Sequence, residues 1–292
     1  MAVSDGMRIT LGAGDSGTIT PLRSVGKPFQ LAALARAGLP LEKFSASEVT
    51  IMASSHNGEQ RHVEVLGGLL ERFGFGEDDL TCGTHEPYRS WVERRPLTNN
   101  CSGKHVALLV ACRMAGWPVD DYWAVGHPAQ LRVRRDLTAV FGDGIAPGID
   151  GCGVPTYGVS VGNLAKAYAS LAISDDPALA MIRAAYLAAP FYLAGTDRID
   201  THLTQRYGVL AKSGSAGVWA VGIPSLGLGV ATKVFTGDEN IAAITVILIL
   251  EQLGVLSVSD DAEIARLLDW EARTCTGRQA GELRTSIQLQ PN

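Results

Sequence analysis

The sequence predicts an α/β fold in which an antiparallel sheet is built from both ends of the chain around a helical inserted region. Three observations carry this expectation. Residues 7–22 are rich in Gly and Thr and read as short extended pieces. The middle of the chain holds long Ala- and Leu-rich segments with helical spacing. The last third returns to β-branched runs, Val218 to Ile223 and Gly229 to Phe235, separated by Pro224-Ser225-Leu226-Gly227-Leu228, which suits an antiparallel hairpin loop. The division that follows is a discontinuous sheet domain, 1–60 with 205–292, and a mainly helical region, 61–204.

Taken in order, Pro28 to Ala37 reads as a helix stopped by Gly38 and Pro40. Val49 to Ala53 is an apolar strand or the start of a buried helix. His62 to Phe73 places Val63, Leu66, Leu69 and Leu70 on one helical face and stops at Gly74. Lys104 to Gly116, Ser160 to Ile173 and Pro177 to Leu187 are further helices, the last with a proline suited to a first turn. Asp238 to Leu253 is an apolar helix ended by Gly254, with Thr236 or Asp238 as its cap.

Composition narrows the function. Hydrophobic residues make up 46% of the 292 and charged residues 19%, enough to bury a substantial core. The net charge of −5 and the lack of any Lys/Arg run argue against a nucleic-acid partner, whose phosphates need a basic face. The longest greasy run, Ile241 to Leu250, falls short of the roughly 20 apolar residues that span a membrane. No secretory signal is legible at Met1 to Thr10. Five cysteines without a C-x-x-C pair fit a reducing cytoplasm better than a disulfide framework. Two motifs are decoys. Gly12-x-Gly14-x-x-Gly17 is followed by Thr18-Ile19-Thr20-Pro21, which favours a turn between strands over the helix a dinucleotide site requires. Glu59-x-x-His62 stands alone, whereas di-iron sites use two such pairs.

Chemistry concentrates elsewhere. In Arg23-Ser24-Val25-Gly26-Lys27-Pro28, a serine and a lysine three residues apart at a helix start share a face. A lysine kept from water near other cations can accept the serine proton. Pro28 lacks an N–H, so a tightly wound helix start is expected. Far downstream, Lys212-Ser213-Gly214 precedes the predicted hairpin; an S-x-x-K followed by a Lys-Ser/Thr-Gly strand recurs in the serine β-lactamase architecture. Between them lie Ser54-Ser55-His56-Asn57-Gly58-Glu59, Asn99-Asn100-Cys101-Ser102-Gly103-Lys104-His105 and Ile149-Asp150-Gly151-Cys152-Gly153-Val154-Pro155. On residue type alone, His56 and His105 suit hydrogen-bonded caps, and Cys101 and Cys152 suit small buried hydrophobes. Their spacing gives little case for a metal.

These blocks, together with His127-Pro128-x-Gln130 and Ala211-Lys212-x-Gly214, occur in the order found in the asparaginase II family of the rhizobial, thermolabile type. The chain resembles that family from Arg23 to about Glu282. The resemblance implies a serine β-lactamase- or glutaminase-like fold and hydrolysis of L-asparagine through two Ser–Lys pairs, which fall here on Ser24 with Lys27 and on Ser55 with Lys212. It implies a zinc held by Cys101, Lys104 and Cys152 with Asp150 beside it, and a homodimer. Arg23, His56, Asn57, Asn100, Asp150 and Gly214 are the substrate-contact candidates. The expected chemistry is acyl transfer with Ser55 as nucleophile and Ser24 and Lys27 as base and proton relay.

The sequence departs from the family in three places. A further strand-bearing segment containing Glu-Ser-x-His is expected ahead of Val3 to Gly6, and its lack would expose a sheet edge or place the start codon upstream. The usual Gly-Ala-Glu-Gly is Gly214-Ser215-Ala216-Gly217, so a methyl stands in place of a carboxylate. Asp-Gly followed by Arg-Ala becomes Thr236-Gly237 and Asn240-Ile241. These changes raise a second function, an asparaginase-like acyltransferase, cyclase or hydrolase of a specialised biosynthetic pathway acting on another amide or acyl substrate. A third is a non-catalytic binding protein for small molecules, against which both intact Ser–Lys pairs argue.

Overall fold

A computed structural model of the chain describes residues 1–142, 147–268, 271–282 and 287–291. The chain opens with strands β1 (Ala2–Ser4), β2 (Ile9–Gly12) and β3 (Ile19–Pro21). Helices α1 (Lys27–Arg36), α2 (Ala46–Met52), α3 (Gln60–Arg72), α4 (Ser102–Ala115) and α5 (Pro128–Phe141) follow. Short strands β4 (Gly148–Ile149), β5 (Pro155–Thr156) and β6 (Gly158–Ser160) lead into α6 (Val161–Ile173), α7 (Pro177–Ala188), α8 (Phe191–Ala194) and α9 (Ile199–Tyr207). The chain then returns to strands β7 (Leu210–Gly214), β8 (Val218–Ile223) and β9 (Leu228–Lys233). Helices α10 (Glu239–Gln252) and α11 (Ala262–Leu268) and strands β10 (Glu271–Arg273), β11 (Gln279–Glu282) and β12 (Gln290–Pro291) close it.

Six strands form one antiparallel sheet in the order β12-β2-β1-β9-β8-β7, so the two ends of the chain do meet in it. β1 is paired on both sides, and the edges are β12 and β7. Side chains of β8 alternate between two cores, with Val218 and Ala220 in one and Trp219, Val221 and Ile223 in the other. The strand is therefore apolar throughout because both of its faces are covered. α6 covers one face, sharing its core with α1 to α5 and α7, and α10 covers the opposite face, whose core also takes Leu203 of α9 and Ile264 of α11. Gly222 and Gly229, paired across β8 and β9, let α6 lie directly on the sheet. A Cβ on Gly222 would stand 2.7 Å from the Tyr168 carbonyl oxygen, and one on Gly229 would collide with the Ala165 carbonyl.

Local signals account for most boundaries. Val49 to Ala53 resolves as helix rather than strand. Ser45 Oγ accepts from the Glu48 N–H at 3.3 Å, and Glu48 accepts from the Ser45 N–H at 2.7 Å, a reciprocal cap that starts α2. Asp238, not Thr236, caps α10, accepting from the N–H groups of Asn240 and Ile241. Gly12, Gly14 and Gly17 lie at the end of β2 and in the turn before β3, as the decoy reading expects. No helix among the described residues is long and apolar enough to cross a membrane.

Candidate active site

The S-x-x-K segment begins as a 3-10 turn, Arg23–Gly26, and becomes α-helical at Lys27, with Pro28 in the first turn of α1. In a 3-10 turn, side chains at i and i+3 eclipse, so Ser24 and Lys27 are stacked on one side. This is the tight start that Pro28 suggests. Arg23, just before the serine, has φ +47, a conformation that is unusual for a residue with a side chain. Its guanidinium meets Asp150 at 3.0 Å, and its N–H is held by the Thr156 hydroxyl at 3.2 Å.

Ser55 follows the end of α2 in an extended stretch, where the Ser55 and Asn57 N–H groups donate to the carbonyls of Leu193 and Ala194. Its hydroxyl lies 3.1 Å from Lys27 Nζ and 2.8 Å from Lys212 Nζ. Lys212 reaches it from β7, on the same face as Leu210, and also donates to the Ser213 carbonyl. Lys27 further donates to the carbonyls of Ser54 and Asn100. Both lysines are buried. Burial lowers Lys27 and brings Lys212 to about 7, against the attraction of Asp200 and with the help of Lys27.

Beside this centre stands a second one. Gly103, without a Cβ, lets the start of α4 press against the Ile51 carbonyl at the end of α2. Cys101 caps α4 and Lys104 sits in its first turn, while Asp150 and Cys152 lie in the turn between β4 and β5. Lys104 Nζ donates to Cys152 Sγ at 3.0 Å and lies 3.8 Å from Asp150. The Cys101 hydrogen bond, and then Lys104, bring the Cys152 thiol down to about 5. That same bond and burial push Cys101 up. Burial opposes a charge on Lys104, but Cys152, Cys101 and Asp150 together outweigh it and hold the ammonium above the usual lysine range.

An open cavity of about 410 Å³ lies against the second centre, with Ser24 in its wall. Its wall includes Ser24, Arg23, Asn100, Cys101, Asp150 and Cys152, together with His85, Glu86, Tyr88 and Ser215 among others. Ser55, Lys27 and Lys212 do not line it, but Lys27 Nζ reaches its wall at the Asn100 carbonyl, 3.0 Å away. His85 is fixed by accepting the Asn100 N–H at 2.9 Å, and Tyr88 carries the Arg198 guanidinium 4.4 Å over its ring.

The sequence candidates thus separate. Lys27, Ser55 and Lys212 converge, as do Cys101, Lys104, Cys152 and Asp150, and Ser24, Arg23 and Asn100 border the cavity. His56, Asn57 and Gly214 are not among its lining residues. His56 is buried, with Nε2 2.9 Å from Ser102 Oγ and Nδ1 accepting the Gly58 N–H, and burial lowers it well below the usual histidine value. Asn57 bonds Glu59 at 2.5 Å. Gly214 has its Cα against Val25, and Ser215 rather than Gly214 reaches the cavity. Sequence reasoning missed the segment from Thr84 to Tyr88, which has no motif, and it missed Asp200. That aspartate is buried in the first turn of α9, 3.8 Å from Lys212 Nζ.

The chemistry of the second centre suits a soft divalent metal. Two thiols, a donor type zinc takes, border the cavity beside the Lys104 amine. Among the described residues no three His, Cys, Asp or Glu side chains form a metal group, so a third donor comes only from the Lys104 amine, which would release its proton on binding.

The family model described as L-asparaginase II matches residues 1–285 of the chain. No curated protein matches it.

Proposed function

The chain belongs to the L-asparaginase II family, and from that premise we propose a serine–lysine amidohydrolase that converts L-asparagine and water to L-aspartate and ammonia. One observation carries the reading: a serine hydroxyl held between two buried lysines, one of which bonds the Asn100 carbonyl of a cavity wall that also includes Ser24. The order of S-x-x-K turn, second serine after α2 and lysine on an edge strand also supports a serine β-lactamase-like fold.

Sequence reasoning places the attack on Ser55, but the cavity favours Ser24, whose side chain meets the space a substrate would fill. Ser24 attacks the side-chain amide carbon. Its proton passes to Lys27, stacked above it, and on through Ser55 to Lys212, the amine that burial leaves largely neutral above pH about 7. The Ser24 N–H, which a helix start leaves without an intrahelical partner and which follows the Arg23 N–H held by Thr156, takes the oxyanion. The relay returns the proton to the leaving ammonia, and water, deprotonated by the same lysines, releases aspartate from the acyl-enzyme. Arg23 is placed for the substrate carboxylate, and Asp150 and Glu86 for its ammonium.

Cys101, Lys104 and Cys152 would hold zinc, which when bound supplies a fixed positive charge beside the cavity. Their role without it is to tie the start of α4 to the turn that carries Asp150. A homodimer in a reducing compartment is the assembly we propose, the five cysteines being free.

A second reading, acyl transfer to a nucleophile other than water, is favoured by the size of the cavity. About 410 Å³ lies within the range that holds drug-sized ligands, more than asparagine needs, and the Ser215–Ala216 turn beside it offers no carboxylate. Ammonia release from L-asparagine, with L-glutamine and β-aspartyl amides alongside, separates the two. Turnover lost in Ser24→Ala, with an acyl adduct at Ser24 by mass spectrometry, supports the hydrolase. A folded, zinc-loaded wild type that releases no ammonia from any of them rules it out.

A further inference from the structure

We propose that Asp200 is a positioning residue of the amidohydrolase, its buried carboxylate fixing Lys212 on the Ser55 hydroxyl and balancing the lysine's charge when it holds a proton. This rests on the reading of Lys212 as proton acceptor. The geometry comes from the edge of the sheet. Among the described residues β7 pairs only with β8, so the backbone N–H groups on its other side have no described strand to bond. Asp200 Oδ1 accepts the Ser213 N–H at 2.6 Å, replacing a missing neighbour strand at the residue next to Lys212. The same oxygen lies 3.8 Å from Lys212 Nζ, and Arg198 Nη2 lies 3.9 Å from Oδ2.

The surroundings leave Asp200 as the nearest anion for the proton acceptor. Lys212 faces the Ser55 hydroxyl, Lys27 from α1, Arg198 and Asp200 from the start of α9, and Cys101 from the cap of α4. The nearby phenols from α6 and α7 are neutral: burial raises Tyr168 and Tyr186 well above the usual tyrosine value, and their hydroxyls donate to the Val25 and Ala53 carbonyls. The position in the first turn of α9 adds a favourable macrodipole for a carboxylate. Without Asp200, Lys212 would share a dry pocket with Lys27 and Arg198 and would be a poor holder of the proton that ammonia must collect. Asp200 acts through Lys212.

The test is Asp200→Asn, which keeps an oxygen for the Ser213 N–H and removes the charge. In the pH profile of kcat/KM for asparagine, the acidic limb set by Lys212 is expected to move down by about one unit or more, the scale of a lost partner at this range. kcat should fall while KM changes little. Arg198→Gln, at a partly exposed side chain, is expected to move the limb slightly upward. A readout independent of turnover is the titration of Lys212 by NMR of protein with ¹³Cε-labelled lysine, its signal identified by loss in Lys212→Met. A lower Lys212 titration in Asp200→Asn and a higher one in Arg198→Gln support the proposal. An unmoved titration in a folded Asp200→Asn overturns it, as does an unmoved or downward one in Arg198→Gln if the first variant does not fold. A wild type that hydrolyses no amide removes the amidohydrolase reading instead, and the NMR titrations still decide whether Asp200 governs Lys212.

Discussion

Two lysines, equally buried within one site, stand in opposite electrostatic surroundings. Lys212 touches a neutral hydroxyl and a carbonyl, has its nearest carboxylate 3.8 Å away, and is brought down to about 7. Lys104 touches a thiol that burial cannot keep protonated, with Asp150 at 3.8 Å, and is held above the usual lysine range. Desolvation is the largest influence on both, so burial alone does not decide a lysine's charge. The anion in direct contact decides it. One lysine is left free to take a proton, and the other is bound into a charged knot.

The largest effect that could break this comparison is on activity. Ser24→Ala should reduce ammonia release roughly 10³-fold or more, and Lys212→Met should do so by about 10²–10⁴-fold, with little change in melting temperature for the serine variant. Full activity in either would remove the relay. Next comes stability. Lys104→Met in metal-free protein leaves the Cys152 charge without its cation while Asp150 keeps Arg23, so urea denaturation should show a loss of about 3 kcal/mol. Lys212→Met at alkaline pH should cost clearly less. Equal losses would mean that the two lysines share a charge state.

The pH dependence of folding sharpens the contrast, because its sign differs between the two. The Lys212 value near 7 lies below the ordinary 10.5, so between them the unfolded chain holds more protons and stability rises with pH. Lys104 is raised, so its contribution is fully present below 10.5 and is lost as pH climbs beyond it. Urea midpoints against pH in wild type and Lys212→Met check this: the rise above about 7 should flatten in the variant. The smallest effect is a control outside both centres. Ser45→Ala removes the cap of α2 and should cost about 1 kcal/mol while leaving the pH–rate profile unchanged.

What the sequence made legible follows the strength of local signals. The hairpin strands, α10 and the Ala- and Leu-rich helices announce themselves through period and caps, and the S-x-x-K and Lys-Ser-Gly motifs place three of the four central residues with Ser55 found by resemblance. α5 went unseen because its buried positions Ala129, Gln130, Val133, Leu137 and Phe141 form a narrow stripe, one of its members an amide, among arginines. α9 was hidden for a stronger reason. Its buried face includes Asp200, Thr201 and Thr204, so hydrophobic periodicity fails where the helix serves the site, and Asp200 disappears with it. The sequence favours Ser55 over Ser24 as nucleophile by only a small margin. Only the cavity wall separates them, because it is assembled from segments more than a hundred residues apart.

The most direct test of the central claim is the pH dependence of kcat/KM for ammonia release from L-asparagine by the wild-type protein. Burial holds His56 and His105 far below neutrality, with His105 near about 3, so neither supplies a limb around neutral pH. A single acidic limb near about 7, with a plateau above it, is the result expected of Lys212 as the proton acceptor. A flat profile from about pH 5 to about pH 9 would contradict the account.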